Sequence, residues 1–228
     1  MKLLALDTSS LACAVGVMHD DSIVSRYEEQ PREHTRLLIP MIREVLAEAE
    51  VELTDLDAIV LGNGPGSFIG MRIAASVAQG LAFGAGLEIV PVSSLAVVAA
   101  SAGNVGDIVV VAQDAHLQQV YLGVYEIDSQ GISQEIVTER LQSQQEIAEL
   151  CDLDEVVAAG SGWLEYPALL DANRKHIHAI SEVLYPSTEP LLAIGAAACD
   201  AGATVPPDRV NPAYLRQKVA EKPRPAKP

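Results

Sequence analysis

The feature that most constrains the fold of this chain is a nine-residue turn, residues 62–70, which contains four glycines and one proline. It follows an apolar run at residues 57–61 that predicts a buried strand, and it precedes a helix predicted from about Met71 to Ala85. A glycine-rich turn between a strand and a helix presents backbone N–H groups at a helix N-terminus, where anions bind. This unit is typical of α/β folds in which helices cover a sheet.

The chemistry of this turn is limited. It lacks the Lys-Ser/Thr pair with which a P-loop holds a γ-phosphate and Mg²⁺. Ser67 also lacks the spacing of a nucleophile elbow, since Pro65 and Ile69 stand where glycines are required. A purely structural turn is therefore an equal alternative to an anion site.

A second turn, residues 7–10, joins the first two predicted strands. Its hydroxyls and N–H groups suit phosphate binding, but the same residue types favour turns by hydrogen-bonding their own backbone. At most, the two turns together predict a weak nucleotide site. Its candidate residues are Asp7, Thr8, Ser9, Ser10, Gly64, Gly66 and Ser67.

Hydrophobic periodicity predicts the element order β-β-β-α-β-α-β-α for the first part of the chain. The first of these helices covers residues 35–49, where apolar residues recur at intervals of three and four. The segment Gly103-Asn104-Val105-Gly106 looks like a boundary, after which strands and helices, including a helix at residues 144–150, follow in shorter form. We predict an α/β protein with two domains, residues 1–104 and residues 105–228, the second ending in a basic tail.

The helix after the glycine-rich turn carries two stripes of small residues. One consists of Ala74, Ala78 and Ala82, and the other of Ser76, Gly80 and Gly84. Each interior glycine costs about 1 kcal/mol of helix stability relative to alanine. Close approach of another helix offsets such a cost through dispersion contacts. That helix belongs either to the same chain or to another subunit.

Charge is unevenly distributed along the 228 residues. Residues 1–208 contain 9 Lys and Arg against 30 Asp and Glu, a net charge of −21, whereas residues 209–228 carry +5. The acidic body repels phosphate backbones, which argues against direct binding of nucleic acid. The tail is either a solvated chain end or a contact for a partner or RNA.

Neither cysteine nor histidine spacing predicts a catalytic or metal site. Three widely separated cysteines form neither a disulfide framework nor a CxxC pattern, which favours a reducing compartment. No histidine pair has HExxH or HxxxH spacing. Residues 1–7 contain too few apolar residues for a secretory signal, and no run approaches the length of a membrane span. These observations predict a cytoplasmic chain that is not in a membrane.

Six short motifs occur in a characteristic order. They are LALDTS at residues 4–9, REHT at 32–35, GPGSFIGMR at 64–72, AQGLA at 78–82, DA followed by VY at 114–121, and NPAYLR at 211–216. This order resembles the TsaB family, also called YeaZ, of the actin-like superfamily that includes TsaD. The resemblance implies an actin-like ATPase (ribonuclease H-like) fold with two lobes, each with a mixed β-sheet flanked by helices.

The resemblance also implies a function. TsaD is the catalytic subunit that transfers threonylcarbamoyl to the adenosine next to the anticodon of tRNAs reading codons that begin with A. TsaB is its non-catalytic scaffold, acts together with TsaE, meets tRNA only through the complex, and forms a homodimer when TsaD is absent. No cofactor is implied for the chain alone, with ATP or ADP only at a complex interface. The alternatives are an autonomous actin-like ATPase or kinase and, less favoured, a metallopeptidase.

In the family, partner binding uses helices of the N-terminal domain. The residues that the resemblance assigns to this role are Leu38, Met41, Ile42, Val45, Arg72, Ala74, Ala75, Ala78, Gly80 and Ala82. TsaD holds its metal through an HxxxH motif, but here His34 has Gln30 and Leu38 at the corresponding positions. Departures from the family pattern at Asn63 and Ile69 remove a positive charge and a hydroxyl near the turns, which weakens nucleotide binding.

Overall fold

Two five-stranded sheets with helices on their faces make up the part of the chain that this computed structural model describes, residues 1–20, 22–143, 153 and 155–216. The first sheet has the strand order β3-β2-β1-β4-β5. Its strands are β1 (Lys2–Asp7), β2 (Ala12–His19), β3 (Ser22–Glu29), β4 (Ala58–Gly62) and β5 (Glu88–Val92). The first three form an antiparallel meander, and β4 and β5 continue the sheet parallel to β1.

Both faces of the first sheet are covered. Helices α1 (His34–Glu48) and α2 (Phe68–Ala85) pack on the face that includes Leu4 and Leu6. Helix α6 (Thr188–Asp200) packs on the opposite face, which includes Leu3. Neighbouring residues of β1 point to opposite faces because side chains alternate along a strand. This explains why the strand is apolar throughout rather than alternating.

The second sheet has the order β10-β9-β6-β7-β8. Its strands are β6 (Ile108–Asp114), β7 (Gln119–Ile127), β8 (Ser133–Ser143), β9 (Val156–Ala159) and β10 (Ile177–Ile180). Strands β6, β7 and β8 are antiparallel neighbours, and β9 and β10 extend the sheet parallel to β6.

Three of the described helices pack on the second sheet. Helix α3 (Ser94–Ala102) packs on one face of the second sheet, and the short helices α4 (Gly162–Glu165) and α5 (Pro167–Asn173) pack on the other. The buried Trp163 of α4 donates a hydrogen bond from Nε1 to the carbonyl of Val110 at 3.1 Å. After the second sheet the chain returns to the first sheet through α6, and the division at residue 104 stays a prediction.

The order β-β-β-α-β-α-β-α predicted for the first part of the chain is confirmed, although details differ from the prediction. Helix α2 begins at Phe68 rather than 71, because the Ser67 side chain caps it by accepting a hydrogen bond from the Gly70 N–H at 3.2 Å. Strand β10 was not predicted, because it has only four residues and is partly exposed. The helix predicted at residues 144–150 lies outside the described residues.

Helix α2 is long and apolar enough to cross a membrane by length and composition alone. The sequence analysis did not predict a run of this length, since Arg72 and Gln79 interrupt the apolar residues. The core helix of a soluble protein passes the same test, and one face of α2 packs in the core of the first sheet.

Candidate functional site

The two turns predicted to bind nucleotide lie side by side, because they follow the neighbouring parallel strands β1 and β4. The Ser67 N–H donates to the carbonyl of Ser9 at 2.6 Å, and the Thr8 hydroxyl donates to the carbonyl of Gly70 at 2.7 Å. A Cβ at Gly66 would lie 2.1 Å from the Ser9 carbonyl oxygen, and one at Gly70 would lie 1.9 Å from that of Thr8. These glycines therefore make room for the neighbouring turn of the same chain.

The polar groups of these turns hydrogen-bond one another. Asp7 is 2% exposed; its carboxylate accepts from the Ser9 N–H and from the Ser94 hydroxyl, both at 2.6 Å. The Ser94 hydroxyl in turn accepts from the Gly64 N–H at 3.1 Å. Ser10 accepts from the N–H of Ala12 at 3.1 Å. The structure thus brings the candidate residues together, but in a closed network that favours the structural role of the turns.

We therefore expect the isolated chain to bind MgATP poorly. An anion at these turns would have to displace hydrogen bonds that the chain already makes within itself. Calorimetry of the chain with MgATP should show no saturable binding up to about 1 mM, where the binding free energy is only about −4 kcal/mol. A dissociation constant in the micromolar range would instead favour the autonomous ATPase or kinase.

Most of the predicted partner-binding side chains are buried within the chain. Eight of the ten lie in the core between α1, α2 and the first sheet, namely Leu38, Met41, Ile42, Val45, Ala74, Ala75, Ala78 and Ala82. Of these ten residues, only Arg72 and Gly80 are exposed, and both lie on α2. These eight buried side chains hold α1 and α2 on the first sheet. A partner would therefore contact other side chains of the same two helices.

The outward surface of α1 and α2 is apolar. We call it the α1–α2 face and define it by Ile39, Ile69, Ile73, Val77, Gly80 and Phe83. Ile69 is 71% exposed and Phe83 is 84% exposed. A groove of about 410 Å³ runs between the helices and is lined by Ile39, Ile69, Ile73 and Val77, with Thr35, Leu38, Arg72 and Ser76.

Gly80 and Gly84 of α2 face outward. A Cβ built on Gly80 or Gly84 would meet nothing within 4 Å, whereas the alanine stripe is buried against the sheet. The two small-residue stripes therefore have different roles. Packing within the chain accounts for the alanines, and it does not account for the glycines.

At one end of the groove, the guanidinium of Arg72 stacks on two aromatic rings. It lies 3.4 Å from the centroid of the Phe68 ring and 5.1 Å from that of Tyr214. The two ring centroids are 5.9 Å apart. Planar guanidinium groups favour such stacking over aromatic faces.

Tyr214 belongs to a segment that crosses from the first sheet to the second. We call residues 205–216 the C-terminal strap. Val205 forms a bridge to Ile89 of β5, and the N–H of Ala213 donates to the carbonyl of Asn63 at 3.0 Å. Arg216 donates from Nη2 to the carbonyl of Ala115 at 2.6 Å. NPAYLR stands out as a motif in the sequence, but these contacts do not follow from it.

In the second sheet, the turn between β6 and β7 belongs to a polar cluster. The carboxylate of Asp114 accepts from the Tyr166 hydroxyl at 2.7 Å and lies 2.9 Å from Nδ1 of His116. Burial and this hydrogen bond raise the pKa of Tyr166. A Cβ at Gly160 would lie 2.5 Å from the Ala112 carbonyl oxygen, so this glycine too is packed against its own chain.

A further polar cluster joins α3 to the second sheet. The hydroxyls of Ser93 and Tyr125 donate to the carboxylate of Glu139, and burial raises the pKa of that carboxyl.

Burial also raises the pKa of the Cys13 thiol to about 12, so this thiol stays protonated and unreactive. Within the described ranges, no group of three or more His, Cys, Asp or Glu residues is placed to hold a metal ion.

Comparisons with known proteins agree on one family. The family model TsaD: tRNA N6-adenosine threonylcarbamoyltransferase matches residues 25–186. The tRNA threonylcarbamoyladenosine biosynthesis protein TsaB of Escherichia coli is 36% identical, and the match covers all of both chains. The protein of the same name from Haemophilus influenzae is 32% identical over the whole chain and 98% of its own length. The solved structure of YeaZ from Pseudomonas aeruginosa is similar with a TM-score of 0.84 and 35% identity, covering 94% of this chain and 99% of that one.

Proposed function

The chain belongs to the TsaB family of tRNA threonylcarbamoyladenosine biosynthesis proteins, and we propose that it is a non-catalytic scaffold subunit that binds and activates TsaD. The predicted actin-like ATPase fold is confirmed by the two mixed sheets flanked by helices and by the likeness to YeaZ. The proposed reaction is threonylcarbamoyl transfer to the adenosine next to the anticodon of tRNAs that read codons beginning with A.

The observation that carries this proposal is the exposed apolar surface of α2. Glycines inside a helix cost stability, and Gly80 and Gly84 have no neighbour within the described chain that would require them. Phe83, beside them, is 84% exposed. Contiguous exposed apolar surface marks protein interfaces. The α1–α2 face therefore suits close docking of a partner helix.

A scaffold role, rather than a catalytic one, is supported by the turns and by His34. The turns that bind phosphates in actin-like ATPases hydrogen-bond to each other here. His34 is buried, and its Nε2 lies 3.3 Å from the carbonyl of Ala12, which is a structural contact. These contacts support the view that metal and nucleotide chemistry belong to TsaD, with ATP or ADP only at a complex interface.

The negative charge of the chain determines how it contacts tRNA in the proposed assembly. Residues 1–208 carry a net charge of −21, so this chain repels tRNA. In the proposed assembly, which forms in the cytoplasm, it meets tRNA only through TsaD. TsaE joins the same complex in this proposal. When TsaD is absent, a second copy of this chain covers the α1–α2 face and forms a homodimer.

The proposal is tested by mixing the chain with TsaD from the same organism. We expect light scattering to show a stable complex, and we expect tRNA modification by TsaD to require the chain. Ile69→Asp should abolish both, because it places a charge in the apolar groove. Leu117→Asp is the matched control, since Leu117 is 76% exposed but lies in the second half. Full activity of TsaD alone, or normal assembly with Ile69→Asp, would overturn the proposal.

A further inference from the structure

Arg72 is the only charged residue of α2, an 18-residue helix. It lines the groove of the α1–α2 face together with Ile69 and Ile73. A partner helix that fills this groove also covers the guanidinium. Covering a charged group without a counter-charge is strongly unfavourable. The partner must therefore bring an acceptor to this position.

Two observations describe that acceptor. None of the ion pairs among the described residues involves Arg72, although the chain is strongly acidic. Its guanidinium is held flat against Phe68 at 3.4 Å, which leaves its N–H groups to donate along the edge. A fixed planar fork of donors matches a carboxylate, which accepts two parallel hydrogen bonds.

A second copy of this chain does not supply this acceptor on its own α1–α2 face. Helix α2 has no carboxylate, and both carboxylates of α1, Glu44 and Glu48, pair with Arg26 of the same chain. A symmetric dimer also places the same patch, with its Arg72, on both sides of the interface. The guanidinium of Arg72 therefore favours binding of a different protein over binding of a second copy of this chain.

Building on the function proposed above, we propose that Arg72 determines the partner specificity of the α1–α2 face by pairing with a carboxylate that TsaD presents among apolar side chains. Tyr214 of the C-terminal strap acts as a positioning residue, because its ring lies beside that of Phe68, with its centroid 5.1 Å from the guanidinium carbon of Arg72. The strap holds Tyr214 through the hydrogen bonds that Asn63 makes to Asn211 and Ala213. The groove supplies apolar contact area, and Arg72 selects the partner.

The first test measures TsaD binding by calorimetry for Arg72→Ala, Arg72→Lys and the control Arg174→Ala. Arg174 is exposed and lies in the second half, so its removal changes the net charge equally. Removing one side of a buried charge pair should weaken binding by about 30-fold or more, and lysine, which cannot form the planar fork, should recover only part of it. The control should bind like the unchanged chain.

The same variants distinguish binding of TsaD from formation of the homodimer. Arg72→Ala should leave homodimer formation unchanged or strengthen it, because no carboxylate meets Arg72 there. Binding of TsaD to the unchanged chain should weaken more steeply with salt than binding to Arg72→Ala, since salt screens the charge pair. Equal binding of TsaD to Arg72→Ala and to the unchanged chain would overturn this inference, while leaving the scaffold function intact. A failure of TsaD to bind the unchanged chain at all would overturn the scaffold function itself.

A double-mutant cycle tests the role of Tyr214. Tyr214→Phe keeps the ring and should bind normally, whereas Tyr214→Ala should weaken TsaD binding by about 5-fold, which is within the range for cation–π contacts. In the Arg72→Ala background the same change should have no further effect, because Tyr214 acts through Arg72. Additive losses would show that Tyr214 contacts the partner directly, and they would overturn the positioning role.

Discussion

Replacing Gly80 with leucine is expected to weaken TsaD binding by about 5- to 150-fold without destabilising the chain. A Cβ at this position meets nothing within 4 Å, so the subunit has room for the larger side chain. Leucine also favours the helix by nearly 1 kcal/mol over glycine. In a close-packed interface, however, the added carbons overpack at a typical cost of about 1–3 kcal/mol.

Ala78→Leu is the matched control, because it makes a similar change on the opposite face of the same helix. Ala78 is fully buried against the first sheet, so leucine there should lower the free energy of unfolding by about 1–3 kcal/mol. For a chain of this length, that corresponds to roughly 2–12 °C in melting temperature. Thermal unfolding and calorimetry with TsaD should therefore separate the two variants. Normal binding by a stable Gly80→Leu variant would show that the glycine stripe lies outside the interface.

The two stripes also show why the sequence predicted the helices better than it predicted their outward residues. Helix α2 is apolar on most of its surface, so periodicity does not distinguish the face that packs on the sheet from the exposed one. Ala78 and Gly80 are both small and both compatible with close packing. Only the orientation of α2 on the sheet shows that the first is covered by its own chain and the second is not.

The first sheet, in contrast, was predictable in detail because its strands are short apolar runs bounded by turn residues. The parallel pairing of Leu6 with Leu61, which brings the turns after β1 and β4 to one edge of the sheet, does not follow from that pattern. The pattern also does not predict the distance between the two turns. Glycines that approach an anion and glycines that approach a neighbouring turn look identical in sequence.

The contacts of the C-terminal strap could not be predicted from the sequence, for a different reason. Residues 205–216 contain only a short 3-10 turn, Pro207–Arg209, and otherwise have no periodic pattern. The contacts of the strap with the two sheets and with α2 are distant in sequence, such as the hydrogen bond that the Gln79 side chain donates to the carbonyl of Pro207 at 2.8 Å. The stacking of Tyr214 with Arg72 therefore becomes visible only in three dimensions.

Gly70→Ala is expected to be the most destabilising single-methyl change in the turns, lowering the free energy of unfolding by about 3 kcal/mol. The added carbon would lie 1.9 Å from the backbone oxygen of Thr8, which cannot move without shifting β1. Gly84→Ala adds the same methyl where nothing lies within 4 Å, and it should stabilise the helix by nearly 1 kcal/mol. Urea unfolding of both variants measures the difference directly. If Gly70→Ala unfolds like the unchanged chain, then the turns are not in close contact in solution, and the space between them is open to a phosphate after all.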